Sequence, residues 1–169
     1  MRAATPAGRG PIRLCFVCLG NICRSPAAMA VMAAHVAEAG LTGCIEVDSA
    51  GTGSWHLGDV PDRRTRAEAA RRGIPLDHYG KQFASGDFAR YDLVLAMDRA
   101  NQSDLRALAP DSTARAKIRL LRSFDPAADG ALEIPDPYYG GPDDFAEVFD
   151  LVDAACRGLL DALRRDCRE

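Results

Sequence analysis

The chain lacks the features that mark membrane-spanning, secreted, repetitive and nucleic-acid-coating proteins. No apolar run in its 169 residues approaches the roughly 20 that cross a bilayer, and no internal repeat is visible. Residues 1–11 contain Arg2 and Arg9 but neither an apolar segment nor a signal-peptide cleavage pattern. A net charge of -3 argues against non-specific binding of nucleic acid, which needs a basic surface. We therefore expect a cytoplasmic protein that binds neither nucleic acid nor membrane, with residues 1–11 as a disordered leader, and export by an unconventional route stays open.

The composition is that of an ordinary globular protein, with 47% hydrophobic and 27% charged residues. Residues 12–169 contain no linker, so they are predicted to form one domain that is large enough to bury its own core. Only Lys81 and Lys117 are lysines among 21 basic residues, a bias that is typical of a GC-rich and plausibly bacterial genome.

Six cysteines are present, and their even number raises the question of disulfides. They are Cys15, Cys18, Cys23, Cys44, Cys156 and Cys167. A chain of this size without a secretory signal does not depend on disulfides, so all six are predicted to be reduced. The Cys15-x2-Cys18 pair is a poor metal site, because an odd spacing on a strand sends two side chains to opposite faces and no second ligand pair stands nearby. We expect no metal and no organic cofactor.

The chain is organised around a short loop that begins at Cys18 and ends at Arg24. An apolar run over residues 12–17 predicts a buried strand before it, and helix formers over residues 27–39 predict a helix after it, with Ser25 and Pro26 as its cap and first turn. Such a strand–loop–helix turn gathers backbone N–H groups and positive dipole, which bind anions. A cysteine there favours the thiolate, and an arginine can hold two phosphate oxygens.

The spacing Cys-x5-Arg alone carries little weight, because this chain is rich in both residue types. An ordinary strand–helix connection with a buried cysteine is the plain alternative, and Gly20 together with the flanking elements argues against it.

The other apolar patterns alternate between strand and helix. Strands are predicted at residues 44–47, 93–97 and 118–121, and helices at 62–72, 101–108 and 143–165. The last helix carries an apolar stripe that consists of Phe145, Val148, Phe149, Val152, Ala155, Leu159 and Leu163. This alternation predicts an α/β fold with a parallel sheet flanked by helices, and ligands of such sheets bind beyond the carboxyl ends of the strands.

Four stretches together resemble the low-molecular-weight protein tyrosine phosphatases, of bacterial type. They are Cys18-Leu19-Gly20-Asn21-Ile22-Cys23-Arg24-Ser25-Pro26, Asp48-Ser49-Ala50-Gly51-Thr52, Leu95-Ala96-Met97-Asp98 and Asp136-Pro137-Tyr138-Tyr139-Gly140. They occur in the family's order and span nearly the whole chain. The resemblance implies a three-layer, flavodoxin-like fold with four parallel strands in the order 2-1-3-4.

The resemblance also implies a reaction, the hydrolysis of phosphotyrosine and small aryl phosphates through a cysteinyl-phosphate. Cys18 would be the nucleophile, Arg24 the phosphate clamp and Asp136 the general acid and base. Because Asp136 must be protonated while Cys18 is a thiolate, activity is expected to be highest on the acidic side of neutrality.

Further residues take supporting roles by the same resemblance. The phosphate would be bound by Leu19, Gly20, Asn21, Ile22, Cys23 and Arg24, and the cleft lined by Trp55, His56, Tyr138 and Tyr139. Supporting positions would be Ser25, Asp48, Ser49, His78 and Asp98. Cys23 could form a reversible disulfide with an oxidised Cys18. The implied partners are phosphotyrosine proteins, inorganic phosphate as product and competitive ligand, and a tyrosine kinase acting on Tyr138 or Tyr139.

Two other functions fit parts of the pattern. Arsenate reductases of one class share the fold and the Cys-x5-Arg loop, but they relay a disulfide through further cysteines, and Cys44, Cys156 and Cys167 form no such cluster in the sequence. A phosphate-binding module without catalysis would also use the loop, and measured turnover separates it from an enzyme.

Overall fold

The computed structural model describes residues 10–167 and contains one sheet of four parallel strands in the order β2-β1-β3-β4. This confirms the predicted topology. The strands are β1 (Ile12–Cys18), β2 (Ile45–Gly51), β3 (Leu93–Ala96) and β4 (Ile118–Leu120). The helices are α1 (Arg24–Glu38), α2 (Arg63–Arg71), α3 (Arg99–Leu108), α4 (Ser112–Ala116) and α5 (Pro142–Leu163). Two 3-10 turns, Ser85–Ala89 and Leu121–Phe124, precede β3 and follow β4.

Helices cover both faces of the sheet, and the side chains of β1 alternate between these two faces. Leu14 and Phe16 pack with α1 and α5 on one face, whereas Cys15 and Val17 pack with Leu105 of α3 on the other. The predicted stripe of α5 is buried along its whole length. Cys15 and Cys18 also lie on opposite faces, as their spacing predicted.

Two element boundaries differ from the predictions near the Cys18 loop, which we define as residues 18–24. Helix α1 begins at Arg24 rather than at residue 27, and Ser25 lies inside it instead of capping it. Pro26 is tolerated there because the first backbone N–H groups of a helix have no intrahelical partner. Strand β2 continues to Gly51, since it pairs with β1 up to Cys18.

The prediction that all six cysteines are reduced is wrong. Cys44 and Cys167 form a disulfide with Cα atoms 5.8 Å apart, while Cys15, Cys18, Cys23 and Cys156 are free and buried. The long α5 returns the chain from the cleft to the start of β2, where Cys44 lies. A sequence separation of 123 residues gave no sign of this proximity.

Most of the predicted leader lies outside the described residues, so its disorder stays a prediction. Within residues 10–167, no helix is long and apolar enough to cross a membrane.

Candidate active site

The Cys18 loop lies at the carboxyl end of β1, the edge at which a parallel sheet binds its ligands. Cys18 is the last residue of β1 and is only 3% exposed. Helix α1 starts six residues later, so its positive end faces the loop. The Asn21 N–H donates to Cys18 Sγ at 3.3 Å, which folds the loop back over the sulfur.

Asn21 anchors this loop through all the hydrogen-bonding groups of its amide. Its Nδ2 donates to Ser25 Oγ at 2.8 Å and to Ser49 Oγ at 3.0 Å. Its Oδ1 accepts from the Lys81 N–H at 3.0 Å and from His78 Nε2 at 2.8 Å. A side-chain amide has two donor hydrogens and two acceptor lone pairs, so each of these groups in Asn21 has a hydrogen-bond partner. The loop is therefore held in shape by the protein alone.

Ser25 touches the sulfur directly, with Oγ 3.0 Å from Cys18 Sγ. Because its oxygen already accepts from Asn21, its own proton can go to the sulfur or to the carbonyl of Ala50, which lies farther away at 3.4 Å. Such a donor stabilises negative charge on the acceptor.

Arg24 is 3% exposed and is fixed on one side. Its Nη1 donates to Asp98 Oδ2 at 2.6 Å and to the carbonyl of Ile134 at 2.9 Å. Asp98 also caps α3, since its Oδ1 accepts from the Asn101 N–H at 2.7 Å. Burial opposes the charge of Arg24, but Cys18, Asp98 and Asp136 outweigh it, so the pKa of Arg24 is raised. The guanidinium is a permanent, oriented cation beside the sulfur.

Asp136 belongs to the Asp136 loop, residues 134–141, which lies just before α5. Its Oδ2 lies 3.7 Å from Arg24 Nη2, and its Oδ1 accepts from the Tyr138 N–H at 3.1 Å. The carboxyl group and the Cys18 sulfur line one cavity of about 320 Å³. The cavity is lined by Cys18, Leu19, Gly20, Ile22, Cys23, Arg24, Trp55, His56, Asp136, Tyr138 and Tyr139.

Aromatic side chains form the mouth of this cavity. Trp55 is 71% exposed and Tyr139 is 96% exposed, while the Tyr138 and Tyr139 rings meet edge to face at 5.0 Å. His56 lies against Gly20 and its Nδ1 is 3.1 Å from Asp59 Oδ2. A deep polar base with aromatic walls suits a flat aryl ring that carries an anion.

The predicted supporting residues divide into two groups. Ser25, Ser49, His78 and Asp98 contact the loop or Arg24, as described above. Asp48 differs, because its carboxylate turns to Lys81 and the Tyr91 hydroxyl, while its Oδ1 accepts from the Ser49 N–H at 2.9 Å. Burial opposes the charge of Asp48, but these hydrogen bonds outweigh it and lower its pKa. Asp48 thus supports the loop indirectly, through Ser49 and through Lys81.

Cys23 lies in the loop and lines the cavity, yet it is buried against Phe145. Burial and the nearby Asp62 raise the pKa of Cys23 to about 12, so its sulfur is a neutral thiol at pH 7. Its pairing with Cys18 stays a prediction.

Two contributors to the site carried no signal in the sequence. Lys81 supplies a backbone N–H to Asn21, which no side-chain pattern reveals. Arg64 lies in an arginine-rich helix, and such a run of charges is typical of a solvated surface, but Arg64 contacts the Asp136 loop. Among residues 10–167, no group of three or more His, Cys, Asp and Glu side chains could hold a metal ion.

Comparison with known proteins finds relatives along nearly the whole chain. The family model described as low molecular weight phosphotyrosine protein phosphatase matches residues 13–169. The chain is 55% identical over 153 residues to the low molecular weight protein-tyrosine-phosphatase of Streptomyces coelicolor, covering 90% of this chain and 93% of that relative. It is 42% identical over 147 residues to the low molecular weight phosphotyrosine protein phosphatase of Homo sapiens, covering 86% and 92%. A crystal structure of a protein tyrosine phosphatase from Entamoeba histolytica, with Hepes in the active site, matches with a TM-score of 0.87 at 40% identity, covering 91% of this chain and 97% of that one.

Proposed function

The chain belongs to the low molecular weight phosphotyrosine protein phosphatase family, and from this membership we propose that it hydrolyses phosphotyrosine through a cysteinyl-phosphate. The observation that carries the mechanism is the meeting of Cys18, Arg24 and Asp136 in one cavity, with Arg24 Nη2 3.7 Å from Asp136 Oδ2. Nucleophile, oxyanion clamp and proton donor are the three groups that phosphoester cleavage requires.

In the first step the Cys18 thiolate attacks phosphorus in line with the departing phenolate. The S–P bond forms and the P–O bond to the aryl group breaks, while protonated Asp136 gives its proton to the leaving oxygen. Arg24 and the backbone N–H groups of the Cys18 loop bind the three equatorial oxygens.

In the second step water releases the phosphate. Asp136, now a carboxylate, takes a proton from water as that water attacks phosphorus, and the S–P bond breaks to restore the Cys18 thiolate. Inorganic phosphate leaves and is expected to compete with substrate for the same loop. The aromatic mouth formed by Trp55, Tyr138 and Tyr139 favours an aryl ring over small alkyl esters.

The remaining assignments extend this proposal. We assign phosphotyrosine proteins as substrates, and a tyrosine kinase as a partner that would reach the exposed Tyr139 more readily than Tyr138. Cys23 is proposed to condense with an oxidised Cys18, with loss of water, and a Cys18–Cys23 peptide in peroxide-treated enzyme would identify that bridge. A cytoplasmic location and the absence of membrane and nucleic-acid partners stay predictions.

The decisive experiment measures hydrolysis of an aryl phosphate across pH 4 to 8 in the presence of a metal chelator. Wild type should turn over with an acidic optimum, and Cys18→Ser should be inactive. In Asp136→Asn, kcat should fall on the order of 100-fold, and the decline of activity toward neutral pH should disappear. Binding of phosphate without turnover by wild type would favour the binding module and make arsenate reduction the next assay.

A further inference from the structure

The Asp136 loop contains no helix or strand. Its first residue, Ile134, is hydrogen-bonded to Met97 and Arg24, and its later part is held by the side chain of Arg64 on α2. Arg64 Nη2 donates to the carbonyl of Tyr138 at 2.8 Å, and its Nη1 donates to the carbonyl of Gly140 at 3.1 Å. Both acceptors are backbone atoms, so these bonds fix the path of the loop rather than the rotamer of a side chain. The two carbonyls lie two and four residues after Asp136.

Arg64 is itself held rigidly. Its Nε and Nη2 donate to the two carboxylate oxygens of Asp62, each at 3.1 Å. Its guanidinium lies 4.5 Å from the centre of the Phe145 ring and 5.6 Å from that of Tyr138. A planar fork that is paired and stacked in this way has one orientation, and a lysine could not reproduce it.

The anchor of Arg64 is also joined to the Cys18 loop. The Asp62 N–H donates to the carbonyl of Ile22 at 2.8 Å, and the Asp62 side chain caps α2 by accepting from the Arg64 N–H at 2.8 Å. The residue that orients Arg64 is therefore hydrogen-bonded to the loop that carries the nucleophile.

The last link runs through the backbone of Tyr138. Its carbonyl accepts from Arg64 and its N–H donates to Asp136 Oδ1 at 3.1 Å. A continuous series of hydrogen bonds thus leads from Ile22 through Asp62, Arg64 and Tyr138 to the carboxyl group of Asp136. The distance between that carboxyl group and the substrate's leaving oxygen depends on this series, because side-chain pairs alone fix Asp136 at only one further point, Arg24.

We propose that Arg64 is a positioning residue that holds the Asp136 loop, and with it the general acid, in register with the Cys18 loop. This rests on the proposed function, in which Asp136 protonates the leaving group. Loss of the fork would leave the phosphate-binding groups in place and displace the proton donor. Misplacement by about 1 Å is enough to cost a large part of the contribution of a catalytic group.

The test compares Arg64→Gln, Arg64→Lys and the control Arg63→Gln, a neighbouring exposed arginine in the same helical turn. The readout is kcat/KM for aryl phosphates whose leaving phenols range from acidic to basic, with Asp136→Asn as the reference. A basic phenol needs a proton in order to leave and an acidic phenol does not, so loss of the proton donor lowers kcat/KM most for substrates with basic phenols. Partial unfolding would lower kcat/KM by the same factor for every substrate. We expect kcat/KM of Arg64→Gln to fall roughly tenfold for the substrate with the most basic phenol and less than about threefold for the one with the most acidic phenol. This loss is a fraction of the 10²–10⁴ that a general acid contributes.

Arg64→Lys should fall nearer to Arg64→Gln than to wild type, and Arg63→Gln should match wild type. An Arg64→Gln variant whose loss is the same for every leaving group would overturn the inference while leaving the proposed function intact. If Asp136→Asn itself shows no dependence on the leaving group, the general-acid assignment fails, and that result is recognisable without the Arg64 variants.

Discussion

At Asn21 the backbone adopts a left-handed conformation, with φ of 57°, in the middle of the Cys18 loop. Asparagine tolerates this region better than most residues, although it still costs of order 1 kcal/mol. Its amide offsets this through four hydrogen bonds, two of which reach Ser25 and Ser49. The left-handed turn brings the Asn21 N–H to the Cys18 sulfur, and backbone of this kind can form anion-binding concavities.

His78 supports this arrangement from outside and gives it a dependence on pH. Burial lowers the pKa of His78, with Asp48 and Lys81 as nearby charges of opposite effect. Its Nε2 donates to Asn21 Oδ1, which a neutral imidazole can do. In the unfolded chain the His78 ring has a pKa of about 6.5, so between this value and the lowered pKa the unfolded chain binds a proton that the folded chain does not. The contribution of His78 to the free energy of unfolding therefore falls as pH falls through this range.

We predict that the stability difference between wild type and His78→Gln is largest above pH 7 and narrows as pH falls through 6.5 toward the lowered pKa of His78. Chemical denaturation at pH 7.5, 6.0 and 5.0 measures this difference, and groups common to both proteins cancel. An NMR titration of the His78 ring provides an independent check. A midpoint at or above 6.5, or a gap that widens in acid, would contradict the argument.

The meeting of Cys18, Arg24 and Asp136 at one cavity was predictable because the family resemblance rests on contiguous stretches that contain these residues. A supporting role for Asp98 was implied by the same resemblance, and the structure adds that one carboxylate both caps α3 and holds Arg24. The role of Arg64 was not predictable, because it depends on a loop 74 residues away meeting the first turn of α2. Nothing in a run of arginines distinguishes the one that faces inward.

At the scale of elements, the Trp55 loop, residues 53–60, is positioned by a second backbone segment rather than by a helix or strand. The Gly58 N–H donates to the carbonyl of Gly80 at 2.8 Å, and the Gly80 N–H donates to the carbonyl of Asp59 at 2.7 Å. The same segment continues to Lys81, whose N–H binds Asn21. One wall of the cleft is thus connected to the Cys18 loop through residues 78–82.

Gly80 permits this contact because it has no side chain. A Cβ there would lie 2.1 Å from the carbonyl oxygen of His56, far inside van der Waals distance. We predict that Gly80→Ala displaces the Trp55 loop and raises KM for an aryl phosphate roughly tenfold, with a smaller effect on kcat. Gly86→Ala is the matched control, since a Cβ at Gly86 meets nothing within 4 Å. Steady-state kinetics on both variants decide the point, and equal KM values would show that the loop does not depend on Gly80.

The order of the strands and longer helices was predictable from the apolar patterns, and the sheet topology from the family resemblance, whereas the short helix α4 and the element ends near the site were missed. The apolar patterns located all four strands and the α5 stripe. The start of α1 was placed too late because Ser25 reads as an N-cap in isolation. Its hydroxyl instead bonds Asn21 and the Cys18 sulfur, and this tertiary contact outweighs the local preference.

Across the whole molecule, the Cys18 loop and the disulfide lie at opposite ends of the parallel strands. Cys18 ends β1, whereas Cys44 precedes β2 at the other end, where both strands begin. A seven-residue strand separates these ends by about 20 Å. We expected reduced cysteines because the chain is large enough to bury its own core. The size of the core does not say which cysteines the fold brings together. The pairing also removes Cys44 and Cys167 from any relay to Cys18, which argues against the arsenate reductase alternative.

The disulfide should therefore affect stability and leave catalysis unchanged. It closes a loop with a sequence separation of 123 residues, for which the chain-entropy model gives a destabilisation of the unfolded state of about 5 kcal/mol, against the roughly 2–4 kcal/mol that disulfides typically contribute. We predict that the double variant Cys44→Ser/Cys167→Ser loses stability of this order in urea denaturation, while its kcat/KM for an aryl phosphate stays within about twofold of wild type.

Reductant should lower the stability of wild type to that of the double variant and have no effect on the double variant itself. A wild type whose unfolding is insensitive to reductant would show that the bond does not form in solution, and a large loss of activity in the double variant would show that the two ends are coupled through the sheet.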